Sequence, residues 1–210
     1  MNIDSLKHWA LFSAPLFLML GCLWLGFDSE VDVATYFKAH SQAHPMLASV
    51  LKVITDWSNP VFYVLYGAML IQALRKGDFE TRRYVLILLA VQVIVAVLCV
   101  HFIKRTVGRP RPSQLQYRWD PITHRGTFHS LPSGHTTEFV GWTLPLALRK
   151  HTTAITMLLG ILVGLLGFSR IYLGWHHPTD VFFGWMLGSF TALATTVIAD
   201  STLFRKKANA

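Results

Sequence analysis

A chain of 210 residues in which 52% are hydrophobic and only 14% charged, with a mean hydropathy of +0.41, is not an ordinary soluble domain, where about a quarter of residues carry charge. It reads as an integral membrane protein. The formal net charge of +8 sits at segment ends and in one loop rather than along an amphipathic stripe. Anionic lipid headgroups or a phosphorylated substrate are therefore the expected partners, and nucleic acid is not.

The first apolar run covers residues 9–27, long enough to cross about 30 Å of hydrocarbon. Lys7 precedes it as in a signal peptide, but no small-x-small cleavage pattern follows, so it is expected as an uncleaved first membrane helix, kinked at Pro15. Residues 28–59 mix apolar positions at helical spacing with Asp28, Glu30, Asp32, Lys38, His40, His44, Lys52 and Asp56. They predict one or two short amphipathic helices on the membrane surface. His40 and His44 are expected as solvated side chains, because no third metal ligand is evident.

The second span is expected over residues 60–74, starting as early as residue 55, followed by a tight charged loop at 75–83. The third covers residues 84–103. Its valine and isoleucine would suggest a strand in water, but in lipid such a run reads as a helix. Residues 104–131 form a polar connection in which Pro110, Pro112, Pro121 and Gly126 argue against a long helix. Spans four, five and six are expected at 133–148, 152–168 and 178–198, with Arg149, Lys150 and His151 after the fourth. Cys22 and Cys99 lie inside apolar runs, so neither a disulfide framework nor a thiolate metal site follows, and packing is their expected role. The fold class is thus all-α: a polytopic bundle of six transmembrane helices with short amphipathic helices in the N-terminal third.

With both termini in the cytoplasm, the inner segments hold Lys7, then Arg75, Lys76, Arg82 and Arg83, then Arg149 and Lys150, then Arg205, Lys206 and Lys207, as the bias of basic residues requires. The outer face also carries Lys104, Arg105, Arg109, Arg111, Arg118 and Arg125. A loop that binds an anionic substrate accounts for that exception. Three polar islands then fall on the outer side: 104–112, 132–135 and 169–180. Six helices in a bundle can bring those ends together.

Each island has a plain reading and a chemical one. Lys104-Arg105-Thr106-Val107-Gly108-Arg109-Pro110-Arg111-Pro112 is a basic stop at a membrane boundary, or a phosphate site in which arginine forks and a lysine charge meet phosphoryl oxygens. Pro132-Ser133-Gly134-His135 is an ordinary helix start. Equally, it is an anion seat, with first-turn amides turned outward and His135 set to protonate a leaving oxygen. In the third island His176 and Asp180 are four apart, an interfacial ion pair or a histidine whose tautomer is set by a carboxylate. Pro178 between them fits the first turn of a helix better than its interior.

Together the islands resemble the type 2 phosphatidic acid phosphatase family. The first reads Lys104, six residues, Arg111-Pro112; the second Pro132-Ser133-Gly134-His135; the third Ser169-Arg170, five residues, His176, three residues, Asp180. The resemblance covers residues 55–188 and includes Asp56-Trp57-Ser58-Asn59-Pro60. It implies a single membrane-embedded phosphatase domain over residues 1–210. It further implies that His176 is the nucleophile, that Asp180 orients and polarises it, and that His135 protonates the leaving group and then activates water. Lys104, Arg111, Ser133, the Gly134 amide and Arg170 would hold the phosphoryl oxygens. His177, beside the nucleophile, is expected at the pocket rim or surface.

No cofactor or metal is expected, because fixed cations can supply the charge that magnesium supplies elsewhere and no Asp-rich cluster is available to hold such an ion. The expected reaction is metal-independent dephosphorylation of a membrane lipid phosphate or diphosphate through a phosphohistidine, at the outer face of a bacterial inner membrane. Undecaprenyl diphosphate ranks first on family breadth and chain size. Phosphatidylglycerol phosphate, phosphatidic acid and lipid A 1-phosphate follow. Alternatives of other classes are a lipid phosphotransferase, a non-enzymatic lipid-binding or transport protein, and an intramembrane serine protease using Ser133 or Ser169. The basic residues argue against the protease, since a neutral peptide bond needs none of them. Transport would call for broken helices or midplane polar groups, for which Gln72 and Gln92 are weak signals.

Overall fold

The computed structural model describes residues 3–114, 118–150 and 152–201. Within them the chain forms α1 (Ile3–Gly26), α2 (Glu30–Ala43), α3 (Pro45–Lys76), α4 (Phe79–Gln92), a π-helical segment (Val93–Cys99), α5 (Val100–Val107), α6 (Gly134–Lys150), α7 (Thr153–Tyr172) and α8 (Pro178–Asp200). No strand occurs among the described residues. His151 and the basic tail of Arg205, Lys206 and Lys207 lie outside them.

Four helical stretches are long and apolar enough to cross a bilayer: Ile3–Gly26, Phe79–Gln114, Thr153–Tyr172 and Pro178–Asp200. Helix α6 is shorter, at 17 residues, and Ser58, Asn59 and Gln72 dilute the apolar half of α3. Large apolar side chains such as Trp24, Leu25, Val64, Phe102 and Val197 stand exposed on the outer faces, the pattern of a surface solvated by lipid. Cys22 and Cys99 are exposed as well, on the same outer faces rather than in the core.

Two helix pairs make the core. Helix α8 lies closest to α6, where a Cβ added at Gly188 would come within 2.5 Å of Val140 Cβ and 2.7 Å of the Thr137 carbonyl. Only glycine permits this approach, as at other small-residue contacts between membrane helices. Helix α1 packs on α7 in the same way, with Gly160 set against the Phe12 carbonyl. Phe12, Leu16, Val140, Leu144, Val163, Leu166 and Val181 are sealed from solvent between these pairs. Trp185 of α8 donates to Ser13 Oγ of α1 at 3.0 Å.

The structure redraws three boundaries. Helix α3 is continuous from Pro45 through Pro60 to Lys76, so the second amphipathic helix and the second span are one element; a proline interior to a membrane helix is tolerated where neighbours compensate. The charged loop shrinks to Gly77 and Asp78. Gly77 adopts a left-handed φ of 66° that ends α3, and Asp78 accepts from Thr81 N at 3.0 Å to start α4. Arg75, Lys76, Arg82 and Arg83 are therefore helical. Helix α7 runs past the expected 168 to Tyr172, which places Ser169 and Arg170 in its last turn.

Helix α2 presents Val33, Ala34 and Phe37 to the core and leaves its other face largely open, as its amphipathic pattern predicts. It docks where α7 ends, with Phe37 edge-on to Phe168 and near Tyr172. His40 is not simply solvated: its Nδ1 lies 2.9 Å from the Tyr172 hydroxyl and its ring stacks on His44.

Candidate active site

The three polar islands converge at one end of the bundle. The chain leaves α5 at Gly108, whose left-handed φ of 61° turns it sharply; a Cβ there would stand 1.8 Å from the Asp120 carbonyl oxygen. The connection then folds back on itself. Asp120 N donates to Gly108 O, Thr123 N to Arg105 O, Arg111 N to Thr127 O and Ser130 N to Arg109 O. Ser113 N reaches across to Gly174 O at 3.1 Å, which ties the first island to the third.

The second island opens α6. Ser133 Oγ pairs with Thr136 Oγ1 at 2.8 Å, and the Ser133 N–H donates to the main-chain carbonyl of Asp180 at 2.9 Å. Gly134 faces Lys104: a Cβ added there would meet Lys104 Nζ at 3.9 Å. Lys104 Nζ donates to His129 O at 3.0 Å. His135, next along α6, sits in the field of Arg170, Lys104 and Arg111.

The third island is a short loop between α7 and α8. Trp175 N and His176 N both donate to the Arg170 carbonyl, at 3.1 and 3.2 Å. Gly174 supplies the positive φ, 67°, that this reversal needs. Arg170 is buried; its Nη1 donates to Thr55 Oγ1 at 3.2 Å and its guanidinium stacks 4.2 Å over the Trp175 ring. Pro178 occupies the first turn of α8, as expected.

His176 and Asp180 are both sealed from solvent. His176 Nδ1 approaches Asp180 Oδ2 to 3.6 Å, a close pairing of ring and carboxylate rather than a formed hydrogen bond. Burial pushes the His176 imidazole down to about 3 against the opposing pull of Asp180, and the Lys104 and Arg170 charges push the same way as burial. The ring is therefore neutral at physiological pH, the state in which a nitrogen lone pair is free to attack.

Asp180 is held by three groups, two from the connection between α5 and α6 and one from the loop before α8. Its Oδ1 accepts from Arg109 Nη1 at 2.6 Å; its Oδ2 accepts from Ser130 Oγ at 2.5 Å and from the His177 N–H at 2.8 Å. A buried neutral imidazole beside a fixed carboxylate, walled by lysine and arginine and faced by a helix N-terminus, suits covalent transfer of an anionic group.

Residues 84–202, more than half of the chain, match the PAP2 superfamily. The chain belongs to the PAP2 superfamily. PAP2 relatives include the lipid A 1-phosphatase of Rhizobium etli, 27% identical over 50% of this chain and 47% of that protein. The undecaprenyl-diphosphatase of Sulfolobus acidocaldarius is 28% identical over 61% of this chain and 62% of its own length. Undecaprenyl-diphosphatase BcrC of Bacillus subtilis is 29% identical over 80% and 81%. The chain thus spans about half the length of the Rhizobium relative but most of the Bacillus one. In fold it is similar to the crystal structure of a transmembrane PAP2-type phosphatidylglycerolphosphate phosphatase from Bacillus subtilis. That likeness has a TM-score of 0.51 and 23% identity, covering 92% of this chain and 98% of the other.

In this PAP2 chain His176 lies 3.6 Å from Asp180, and the Ser133 N–H donates to the Asp180 carbonyl. Lys104 and Arg170 lie within electrostatic reach of His176. Arg111 Nε is turned to Gly126 O at 3.2 Å. His177 departs from expectation. It is buried, with its Nε2 3.3 Å from the Pro110 carbonyl, and burial pushes its pKa down. Four contacts had no marker in the motifs: Arg109 and Ser130 on Asp180, and Thr55 and Trp175 on Arg170. Arg109 was visible as one charge in a basic run and Thr55 as the residue before Asp56-Trp57-Ser58-Asn59-Pro60. Ser130 carried no signal beyond standing near the second motif, and Trp175 none beyond filling the spacing inside the third.

Proposed function

We propose that this protein is a single-domain membrane phosphatase that removes a terminal phosphate from a lipid phosphate or diphosphate through a phosphohistidine on His176. The observation that carries the reading is the buried His176 paired with Asp180 beside the Lys104 and Arg170 charges. Lys104, Arg111, Arg170, the Ser133 hydroxyl and the Gly134 amide hold the phosphoryl oxygens. Nε2 of His176 attacks phosphorus while the bond to the leaving oxygen breaks and His135 protonates that oxygen. Water then attacks the phosphohistidine, giving its proton to His135. The P–N bond breaks, and inorganic phosphate leaves with His176 restored.

Undecaprenyl diphosphate is the first substrate to test. The Bacillus relative matched over 80% of this chain and the Sulfolobus relative both carry the name undecaprenyl-diphosphatase. Phosphatidylglycerol phosphate, phosphatidic acid and lipid A 1-phosphate rank after it. The substrate's tail stays in the bilayer while its headgroup reaches the cations. In this arrangement α3 and α6 also cross the membrane, giving six spans with both ends of the chain in the cytoplasm. The site then opens at the outer face of a bacterial inner membrane.

The test is a panel of purified lipid phosphates in detergent micelles, assayed for released phosphate with wild type and His176→Ala. Wild type should release phosphate from at least one lipid, with His176→Ala folded and inactive. Full turnover by His176→Ala would refute the nucleophile. Adding an acceptor lipid to the same assay separates hydrolysis from phosphotransfer: phosphate released equally with and without acceptor supports the hydrolase.

A further inference from the structure

Glu30 stands at the first turn of α2, seventy-nine positions before Arg109, and no motif touches it. Its carboxylate makes two contacts with the machinery around Asp180. Oε1 accepts the main-chain N–H of Thr179 in the first turn of α8 at 2.8 Å. Oε2 takes Arg109 Nη2 at 2.5 Å. The other arm of the same guanidinium, Nη1, donates to Asp180 Oδ1 and Thr179 Oγ1, each at 2.6 Å. Arg109 thus bridges two carboxylates, one on α2 and one on α8. Its side chain is 12% exposed, and the Trp119 ring covers it from one side.

We propose that Glu30 is a positioning residue that acts on the reaction through Arg109, an inference that rests on the phosphatase reading above. A planar guanidinium held at both ends has one orientation, and that orientation fixes the carboxylate plane of Asp180 facing His176. Glu30 also takes up part of the Arg109 charge. Without it, the whole cation bears on Asp180 and weakens its hold on the His176 ring. Asp180 already has two other donors on Oδ2, so the balance between Arg109 and the ring decides how well the imidazole is oriented. Glu30 touches no phosphoryl oxygen in this arrangement. Its loss should therefore appear in kcat and leave substrate capture unchanged.

The alternative is that Glu30 merely caps α8 through Thr179. Glu30→Gln separates the two roles, because glutamine keeps an acceptor for the Thr179 N–H but carries no charge for Arg109. The full-length protein in detergent micelles is assayed on the best lipid phosphate of the panel, with competitive inhibition by inorganic phosphate as a second readout. Glu30→Gln should lower kcat about ten- to hundredfold, the range seen when outer partners of ligating groups are removed, with KM and inhibition by phosphate within twofold of wild type. Arg109→Lys keeps a charge but cannot hold both carboxylates, so in that background Glu30→Gln should cost little more. Glu30→Asp, which retains the charge, should recover part of the rate and serves if Glu30→Gln fails to fold.

Wild-type kcat in Glu30→Gln would overturn the proposal. So would losses that multiply fully across the two backgrounds, or inhibition by phosphate that weakens in step with kcat. Each of these leaves the phosphatase reading standing. Absence of phosphate release by wild type from every lipid removes both.

Discussion

The main-chain N–H of Ser133 donates to the main-chain carbonyl of Asp180 at 2.9 Å. The bond joins the start of α6 to the first turn of α8, and so links the proposed phosphate seat to the carboxylate beside His176. It depends on how closely the two helices approach below it. A Cβ added at Gly184 would lie 2.7 Å from the Ser133 carbonyl oxygen, and one at Gly188 only 2.5 Å from Val140 Cβ. Gly184→Ala and Gly188→Ala should each destabilise the protein by about 1–3 kcal/mol, as overpacking does. Only Gly184→Ala should also weaken inhibition by inorganic phosphate, because its methyl group pushes on Ser133. Equal inhibition in the two variants would show that the packing does not set the phosphate seat.

Ser130→Ala removes the 2.5 Å hydrogen bond to Asp180 Oδ2. A hydrogen bond to a charged group contributes about 1.5–3 kcal/mol. If half of that serves to orient Asp180, kcat should fall about three- to tenfold while KM stays near wild type. Steady-state kinetics on a lipid phosphate checks this, and an unchanged kcat would show that Arg109 and the His177 N–H suffice to hold the carboxylate.

Much of this site was legible in the sequence because its chemistry is local. Pro132, Ser133, Gly134 and His135 fall on one helix start, and His176, Pro178 and Asp180 lie within one turn of the next. Hydrophobic runs located α1, α7 and α8 for the same reason. What escaped was long-range or helical against the usual signals. Glu30 reaches Arg109 and Thr179 only after α2 docks on α7, an event that no spacing encodes. Pro60 reads as a helix break in water, yet α3 passes through it. The charges at 75–83 suggested a loop, whereas two residues suffice for the turn because Gly77 and Asp78 supply both caps. His177 was expected at the pocket rim or surface because adjacent residues point in different directions; Pro110 folds back over it instead.

Arg170 is fixed by Thr55 on one nitrogen and by the Trp175 ring on its face. Arg170→Lys keeps the charge and loses both the fork and the stacking. The rate on a lipid phosphate should fall about 10²–10³-fold, as at comparable charge-stabilising donors. Thr55→Val removes only the hydroxyl and should cost less than Arg170→Lys. Wild-type kinetics in Arg170→Lys would show that charge alone is enough at this position.

In the proposed site Lys104, Arg111 and Arg170 supply the charge that a divalent ion supplies in other phosphatases. Phosphate release should persist in excess chelator at more than half of the untreated rate. Complete loss that only Mg²⁺ restores would contradict the cation clamp.

His176 and His177 make an acid-sensitive element. Burial pushes both below the ordinary histidine value, His176 to about 3. In the unfolded chain the same rings take up protons near pH 6.5. Above that pH neither state is protonated and the two rings contribute no pH dependence. As pH falls from 6.5 towards the native value, the unfolded state binds protons that the folded state refuses, so stability falls with it. By pH 5 the loss from His176 alone is at most about 2 kcal/mol, the free energy of 1.5 pH units. Thermal unfolding in detergent micelles should therefore show a midpoint that drops more between pH 6.5 and 5 than between pH 8 and 7. His176→Gln, which cannot titrate, should make that drop smaller and leave the part that His177 contributes. A midpoint in wild type that rises towards pH 5 would mean that both rings accept a proton in the folded protein and that His176 is not held neutral for attack.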